Sequence, residues 1–323
     1  MRAARMQATA PNFAAYFSTQ DLDRSSARRD DSAWLAAAMT AADTRFIPVC
    51  GAANICRWED AAPRALLLDA TAAQPLLPRH TSLIFLGTAQ GFNYFALGLP
   101  EGAIVAGGKA VDLRQLSPLL DAAELALLGY ARAMSHWHAQ HRHCGRCGTP
   151  TASARAGHER VCPACDTRIF PRLDPAIIVL VTDAERCLLG RQKSWPARRY
   201  STLAGFVEPG ETLETAVQRE VIEETDVRVK LPQYRASQPW PFPGSLMLGF
   251  RAEAVSTDIR CNDGELEHAA WFSRDAIATA VAGGTLLPPS RSISYRLIRE
   301  WYEEDPLYRF EDLPYVDPFL AKP

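Results

Sequence analysis

Between Phe46 and about Leu116 the apolar positions come in short runs broken by turn residues. Examples are Arg64-Ala-Leu-Leu-Leu-Asp69, and the pair Leu83-Ile-Phe-Leu86 and Phe92-Asn-Tyr-Phe-Ala-Leu97 on either side of Gly87-Thr-Ala-Gln-Gly91. This pattern predicts a small β-rich domain. Ser117-Pro118 then offers a cap and a first-turn proline for a helix running through Leu128, Tyr130 and Met134 to about Trp137. Farther on, Ala176-Ile-Ile-Val-Leu-Val181 is unbroken apolar and ends at Thr182-Asp183, which predicts a buried strand turning into a second one at Cys187-Leu-Leu-Gly190. After Thr212, a good N-cap, Leu213, Ala216, Val217 and Val221 recur at helical spacing.

These patterns divide the chain into four parts: a polar N-terminal segment over 1–35, expected to be flexible around Ser25–Ala33; a β-rich domain over 36–139; a cysteine-rich link over 140–172; and an α/β domain over 173–323. The expected class is mixed α/β (α+β). No apolar run approaches the ~18 residues of a membrane span, so no membrane partner is expected. The stretch from Met1 to Ala10 carries two arginines and no continuous apolar core, which leads us to expect a cytoplasmic protein. With 35 basic and 37 acidic residues the formal charge is −2, which excludes a general polyanion binder but not a local basic patch. One such patch exists: Arg132 to Arg172 holds seven arginines against Glu159 and Asp166.

Cysteine placement changes the picture most. Four of the eight cysteines form two CxxC pairs, Cys144-Gly-Arg-Cys147 and Cys162-Pro-Ala-Cys165, with 14 residues between them. That spacing lets four sulfurs converge on one Zn²⁺, and with every position filled by cysteine the ion is expected to be structural. Gly145 and Gly148 would permit the tight turns. His136, His138, His141 and His143 just upstream are expected to form a solvated helix end, and Cys50, Cys56, Cys187 and Cys261 are ordinary thiols.

The helix after Thr212 carries a chemical anomaly. Glu220 and Glu224 fall inside its apolar stripe and Glu223 lies at the margin. Carboxylates in that position are costly unless paired with a cation. Three of them at i, i+3 and i+4 form a hard oxygen cluster suited to Mg²⁺ or Mn²⁺, and Arg219 is placed to orient one of them.

The stretch Gly205 to Val227 resembles the Nudix box, G-x5-E-x7-R-E-U-x-E-E-x-G-U, at every signature position except Asp226, which stands where the second glycine belongs. Asp tolerates a left-handed turn better than most residues, so local geometry should weaken without loss of chemistry. The resemblance implies the Nudix α/β/α sandwich and hydrolysis of a nucleoside diphosphate linked to another group. In it divalent ions neutralise the pyrophosphate and activated water attacks one phosphorus in line. By position, Glu220, Glu223 and Glu224 resemble the Mg²⁺/Mn²⁺ ligands, and Glu211 resembles the glutamate that supports the helix. Glu265 is the candidate for a further glutamate beyond the box, with Glu267 as its competitor. Glu224, Glu223, Glu265 and a bridging hydroxide are the candidates for general base.

Ser237-Gln-Pro-Trp-Pro-Phe-Pro-Gly-Ser245 follows the box. Alternating prolines exclude a regular helix and predict a stiff extended rail that displays Trp240 and Phe242. The segment resembles the SQPWPFPxS signature of the NADH pyrophosphatase branch, which also carries a four-cysteine zinc ribbon and a divergent N-terminal domain. That branch cuts NADH or NAD⁺ to nicotinamide mononucleotide and AMP, and bacterial members remove NAD caps from RNA 5′ ends. The resemblance implies that Gln238, Pro239, Trp240, Pro241, Phe242, Pro243, Gly244 and Ser245 line the substrate site, with Phe170 and Ala204 near a base ring. Arg114 and Ser294 are carried over on shorter matches. It also implies a homodimer. Two alternatives stay open: another nucleoside diphosphate such as ADP-ribose as substrate, or a zinc-ribbon RNA-binding protein with a degenerate Nudix domain.

Overall fold

The computed structural model describes residues 17–60, 62–262 and 264–318. Two six-stranded sheets and a three-stranded ribbon account for its strands. In the first sheet, β1 (Thr44–Cys50), β2 (Ala53–Glu59), β3 (Ala62–Ala65), β4 (Ser82–Ala89) and β5 (Phe92–Leu99) lie in the order β3-β2-β1-β5-β4, and β6 (Lys109–Val111) pairs with β2. Only β1 and β5 run parallel. Helix α1 (Ser32–Ala38) precedes this sheet, α2 (Ala70–Ala73) lies between β3 and β4, and α3 (Leu113–Leu116) and α4 (Ala122–Gln140) follow β6.

Two expectations need correction here. Ser26–Asp30 is a 3-10 helix and Ser32–Ala38 an α-helix, so this part of the supposed flexible segment is folded. Asp31 caps α1 through Trp34 N, and Asp30 forms a two-point pair with Arg155 at 2.9 and 3.0 Å. Residues 1–16 of that segment lie outside the described residues. The long helix also begins later than Ser117-Pro118: Ser117 closes α3, and Asp121 caps α4 by accepting from Glu124 N at 2.8 Å.

The ribbon consists of β7 (Ala152–Ala154), β8 (Glu159–Val161) and β9 (Arg168–Ile169). It docks on the N-terminal domain through Gly157, whose φ is +89° and where a Cβ would meet Ile84 at 2.7 Å. His138 of α4 is 2 % exposed and bonds the Gly157 carbonyl at 2.8 Å, while Arg160 meets its other ring nitrogen at 2.9 Å. The arginine can only donate and the carbonyl can only accept, so this is a neutral imidazole protonated on Nε2. The solvated-end expectation therefore fails for His138, because the helix face it shares is covered by the ribbon.

The second sheet holds β10 (Asp174–Asp183), β11 (Arg186–Gln192), β12 (Leu203–Phe206), β13 (Val229–Trp240), β14 (Ser245–Ala254) and β15 (Leu266–Ser273). Their order is β13-β14-β10-β11-β15, with β12 paired to β10. Again one pair, β10 and β14, is parallel. The apolar run of β10 serves two cores. Ile177, Val179 and Val181 pack against Ala216, Val217 and Val221 of α5 (Leu213–Thr225). Ile178 and Leu180 share the opposite core with α6 (Arg274–Ala282) and α7 (Ile293–Tyr302), through Ile277, Leu297 and Trp301. A strand covered by helices on both faces has no polar side, which is why no alternation appears in its sequence.

Candidate active site

Helix α5 starts where Thr212 accepts from Thr215 N and ends where Asp226 adopts φ 60°, the left-handed turn expected of it. Its buried stripe carries Glu220 and Glu224, which are 9 % and 2 % exposed, whereas Glu223 faces outward. Arg219 organises this end of the helix. It grips Glu211 with Nε and Nη2 at 2.6 and 2.9 Å, and its Nη1 reaches Glu220 at 2.8 Å and Glu223 at 3.0 Å. Its Nη2 also donates to the Phe206 carbonyl, tying β12 to the helix. Two parallel charge-assisted bonds fix orientation as well as energy, and the Arg219 guanidinium holds the Glu211 carboxyl down at about 2. Burial pushes the Glu220 carboxyl up against the pull of Arg219, and the charges of Glu223 and Glu265 add to the push. Glu265 is thus close enough to Glu220 to be felt by it, while Glu267 is paired with Arg191.

This carboxylate group suits a divalent cation for two reasons. Like charges are crowded where burial already disfavours them, a condition a cation relieves. Gly205 also leaves no side chain where a Cβ would sit 1.9 Å from the Glu220 carboxyl carbon, so the β12 backbone is kept open against that carboxylate. The oxygens are not drawn together: among the described residues, the four ribbon cysteines alone form a group of three or more metal-binding side chains within 4.8 Å of one another.

The ribbon site fits zinc directly. Its sulfur separations of 3.4, 3.6 and 3.7 Å approach the ~3.8 Å edge of a tetrahedron with 2.3 Å bonds. Each CxxC closes in the same way, with Cys144 N on Thr149 O and Cys162 N on Thr167 O. The left-handed position of each turn is taken by Gly148 in one and Asp166 in the other, and Gly145 has no such requirement. The Arg146 amide donates to Cys144 Sγ and lowers its pKa toward the thiolate that a metal needs.

Beside Glu224 opens a cavity of about 200 Å³. Four residues carried over by the resemblance, Ala204, Gln238, Trp240 and Ser294, line it. Gln238, wholly buried, spends both ends of its amide on the start of α7 and the residues before it: Nε2 donates to Arg291 O and Oε1 accepts from Ile293 N, each at 2.8 Å. Ser294 Oγ joins Ser201 Oγ and Thr202 Oγ1 at 2.9 and 2.8 Å. Most of the remaining wall is apolar, with Ile178, Leu203, Met247 and Leu266, and the loop residues Trp195 and Arg199 close it. These were missed because they have no short motif; the indole among basic residues in Lys193-Ser-Trp195 to Arg199 was the available signal.

The rest of the proline signature does not form an exposed rail. Trp240 ends β13, Pro241 to Gly244 make the turn, and Ser245 starts β14. Phe242 is only 9 % exposed and belongs to the N-terminal core, edge-on to Phe17 at 5.6 Å. Arg114 lies over its ring at 4.3 Å, and buried Arg132 of α4 donates to the Ala52 carbonyl at 2.8 Å and to that of Pro241. Arg114 therefore touches the signature and does not line the first cavity. Pro239, Pro241, Pro243, Gly244 and Ser245 face a second cavity of about 850 Å³ against α4, which Trp240 also borders. Phe170 is exposed at the ribbon exit and lines neither.

A capped helix of buried and arginine-bound carboxylates, set beside a deep apolar slot, defines a metal-assisted hydrolase of the Nudix type. The chain matches family models described as the NADH pyrophosphatase-like rudimentary NUDIX domain over residues 43–137, the NADH pyrophosphatase zinc ribbon domain over 139–170 and the NUDIX domain over 172–304. It is 43 % identical to the human mitochondrial NAD(P)H pyrophosphatase NUDT13 over 68 % of this chain and 67 % of that one. It is 35 % identical to the human NAD-capped RNA hydrolase NUDT12, covering 90 % and 74 %. Against the NAD-capped RNA hydrolase NudC of Mycobacterium bovis identity is 45 %, covering 60 % and 65 %. The chain belongs to the Nudix hydrolases, in the branch that carries the NADH pyrophosphatase zinc ribbon.

Proposed function

We propose that this protein hydrolyses the pyrophosphate of NADH and NAD⁺ to nicotinamide mononucleotide and AMP, and removes NAD caps from RNA 5′ ends. The observation that carries the reading is the position of Glu224, buried on the catalytic helix and at the same time in the wall of a slot built on Gln238 and Trp240 of the signature. At about 200 Å³ the slot is smaller than the ~300–1,000 Å³ that encloses a whole drug-sized ligand, so it suits one nucleoside half, with the diphosphate at its carboxylate end.

In this reading Glu220, Glu223, Glu224 and Glu265 would hold Mg²⁺ or Mn²⁺, which would supply charge neutralisation of the diphosphate and a more acidic water. Arg219 keeps Glu211, Glu220 and Glu223 in place, and the β12 backbone at Gly205 lies against the Glu220 carboxylate. Glu224 accepts the proton of the attacking water in a pocket whose apolar walls exclude bulk solvent. Zn²⁺ on Cys144, Cys147, Cys162 and Cys165 keeps the ribbon folded. We also propose a cytoplasmic homodimer, on the family resemblance, to be checked by light scattering and by imaging of the tagged protein.

The test is product analysis with NADH, NAD⁺, NAD-capped RNA and ADP-ribose under one metal condition. Release of AMP and nicotinamide mononucleotide from the first two is expected. Faster turnover of ADP-ribose would move the substrate, and salt-dependent RNA binding without hydrolysis would refute the enzyme reading.

A further inference from the structure

Arg199 takes no part in the reading above, yet it stands in the wall of the same slot. Its loop is tied at both sides, with Tyr200 N on Leu286 O at 3.0 Å and Leu286 N on Arg198 O at 2.9 Å. The guanidinium lies 5.2 Å from the ring centre of Trp195, another wall residue. Its Nε is sealed from solvent and has no hydrogen-bond partner, and among the described residues no carboxylate forms an ion pair with it. Asp317 is close enough to be felt, but its Oδ2 accepts from Ser290 N and Oγ at 2.9 and 2.6 Å. The side chain as a whole is half-buried, but a sealed donor left without a partner is costly unless a ligand completes it.

Gln192 also lines the slot, and several of the other neutral polar groups around it are committed. Gln238 is bonded at both ends, Ser294 joins Ser201 and Thr202, and Ser292 Oγ accepts from Tyr295 N and donates to Pro289 O. A substrate ring in the slot would therefore meet an indole face, the Gln192 amide and one guanidinium outside any ion pair. We propose that Trp195 and Arg199 read the ring substituent of the bound nucleotide, and that the protein also hydrolyses dinucleotides whose pyridine ring bears a carboxylate in place of the carboxamide. An arginine in a mostly apolar wall, held in no direct ion pair, favours an anionic oxygen over a neutral carbonyl. The reaction is the same: water adds to one phosphorus, the bridging P–O bond breaks, and nicotinate mononucleotide and AMP leave while the water protons pass to phosphate and solvent. The proposal rests on the slot taking the pyridine nucleoside half.

The experiment compares kcat/KM for NAD⁺ and for nicotinic acid adenine dinucleotide in the full-length wild type, Arg199→Gln and Arg199→Lys. The acid-to-amide ratio within one preparation does not depend on the fraction folded. We expect a wild-type ratio of at least one, a fall of about 10–100-fold in Arg199→Gln carried by KM, and partial retention in Arg199→Lys. Nicotinate mononucleotide should raise the melting temperature of the wild type and not of Arg199→Gln. An unchanged ratio in Arg199→Gln would overturn the role of Arg199 while NAD⁺ hydrolysis still stands. Failure of the wild type to cleave either dinucleotide would instead remove the parent reading, and this one with it.

Discussion

The two large sheets have a similar plan. Each is six-stranded, with one parallel pair, β1 with β5 and β10 with β14. Around that pair the orders correspond, β2-β1-β5-β4 and β11-β10-β14-β13, and they part at the third strand, which pairs with β2 in one sheet and with β10 in the other. They differ in the helix that precedes the first strand of the second half. In the catalytic domain this is α5, thirteen residues long, with Arg219, Glu220, Glu223 and Glu224. In the N-terminal domain it is α2, Ala70-Thr-Ala-Ala73, with no charged side chain. A similar backbone plan thus carries the carboxylate helix in one domain and a short uncharged helix in the other, so the difference lies in the helix and not in the sheet. The N-terminal sheet instead serves as a support. Its helix α4 accepts the ribbon through His138 and the signature turn through Arg132 and Gly129, where a Cβ would meet Phe17 at 2.9 Å and Pro241 at 3.2 Å.

This contrast is open to direct attack. The largest effect should come from Glu224→Gln, with an expected loss of about 10²–10⁴-fold in kcat on NADH and an unchanged melting temperature, measured by AMP release. Full turnover by that variant would end the distinction between the two helices. Next, Gly205→Ala should cost about 10²-fold or more in activity, because its Cβ would collide with the Glu220 carboxylate at 1.9 Å; equal rates would show that Glu220 can move without harm.

Acid should loosen the support before it touches the catalytic core. Burial holds His138 down at about 4, whereas in the unfolded chain it titrates near 6.5. Between these values the unfolded chain binds the extra proton, so stability falls as pH drops from about 6.5 to 4, by on the order of 3 kcal/mol for His138. Melting temperature against pH should show this slope in the wild type and a flatter one in His138→Gln. Smallest is Asp69→Ala, which removes the cap that accepts from Ala72 N at 2.8 Å. We expect about 1 kcal/mol less stability in denaturant melts and unaltered kcat, as befits a helix with no chemistry.

Much of the catalytic domain was legible in the chain. The unbroken run of β10, the Thr212 cap, the stripe with Glu220 and Glu224 inside it and the left-handed Asp226 all follow from spacing along one element. The zinc ligands were legible for the same reason, since CxxC pairs specify their own turns. Phe242 and His138 were misread because their neighbours come from other parts of the chain: Phe17, Arg114 and Arg132 for one, Gly157 and Arg160 for the other.

By itself, then, the sequence determined the elements, the metal-binding cysteines and the set of carboxylates, because local periodicity and ligand spacing are properties of contiguous residues. Tertiary structure alone decided which half of the proline signature faces the slot and which half docks on the N-terminal domain. It also brought the Trp195–Arg199 loop, 25 or more residues before Glu224 in the chain, into the same cavity wall. Burial and unmet hydrogen bonds depend on packing between distant segments, and no pattern along the chain records them.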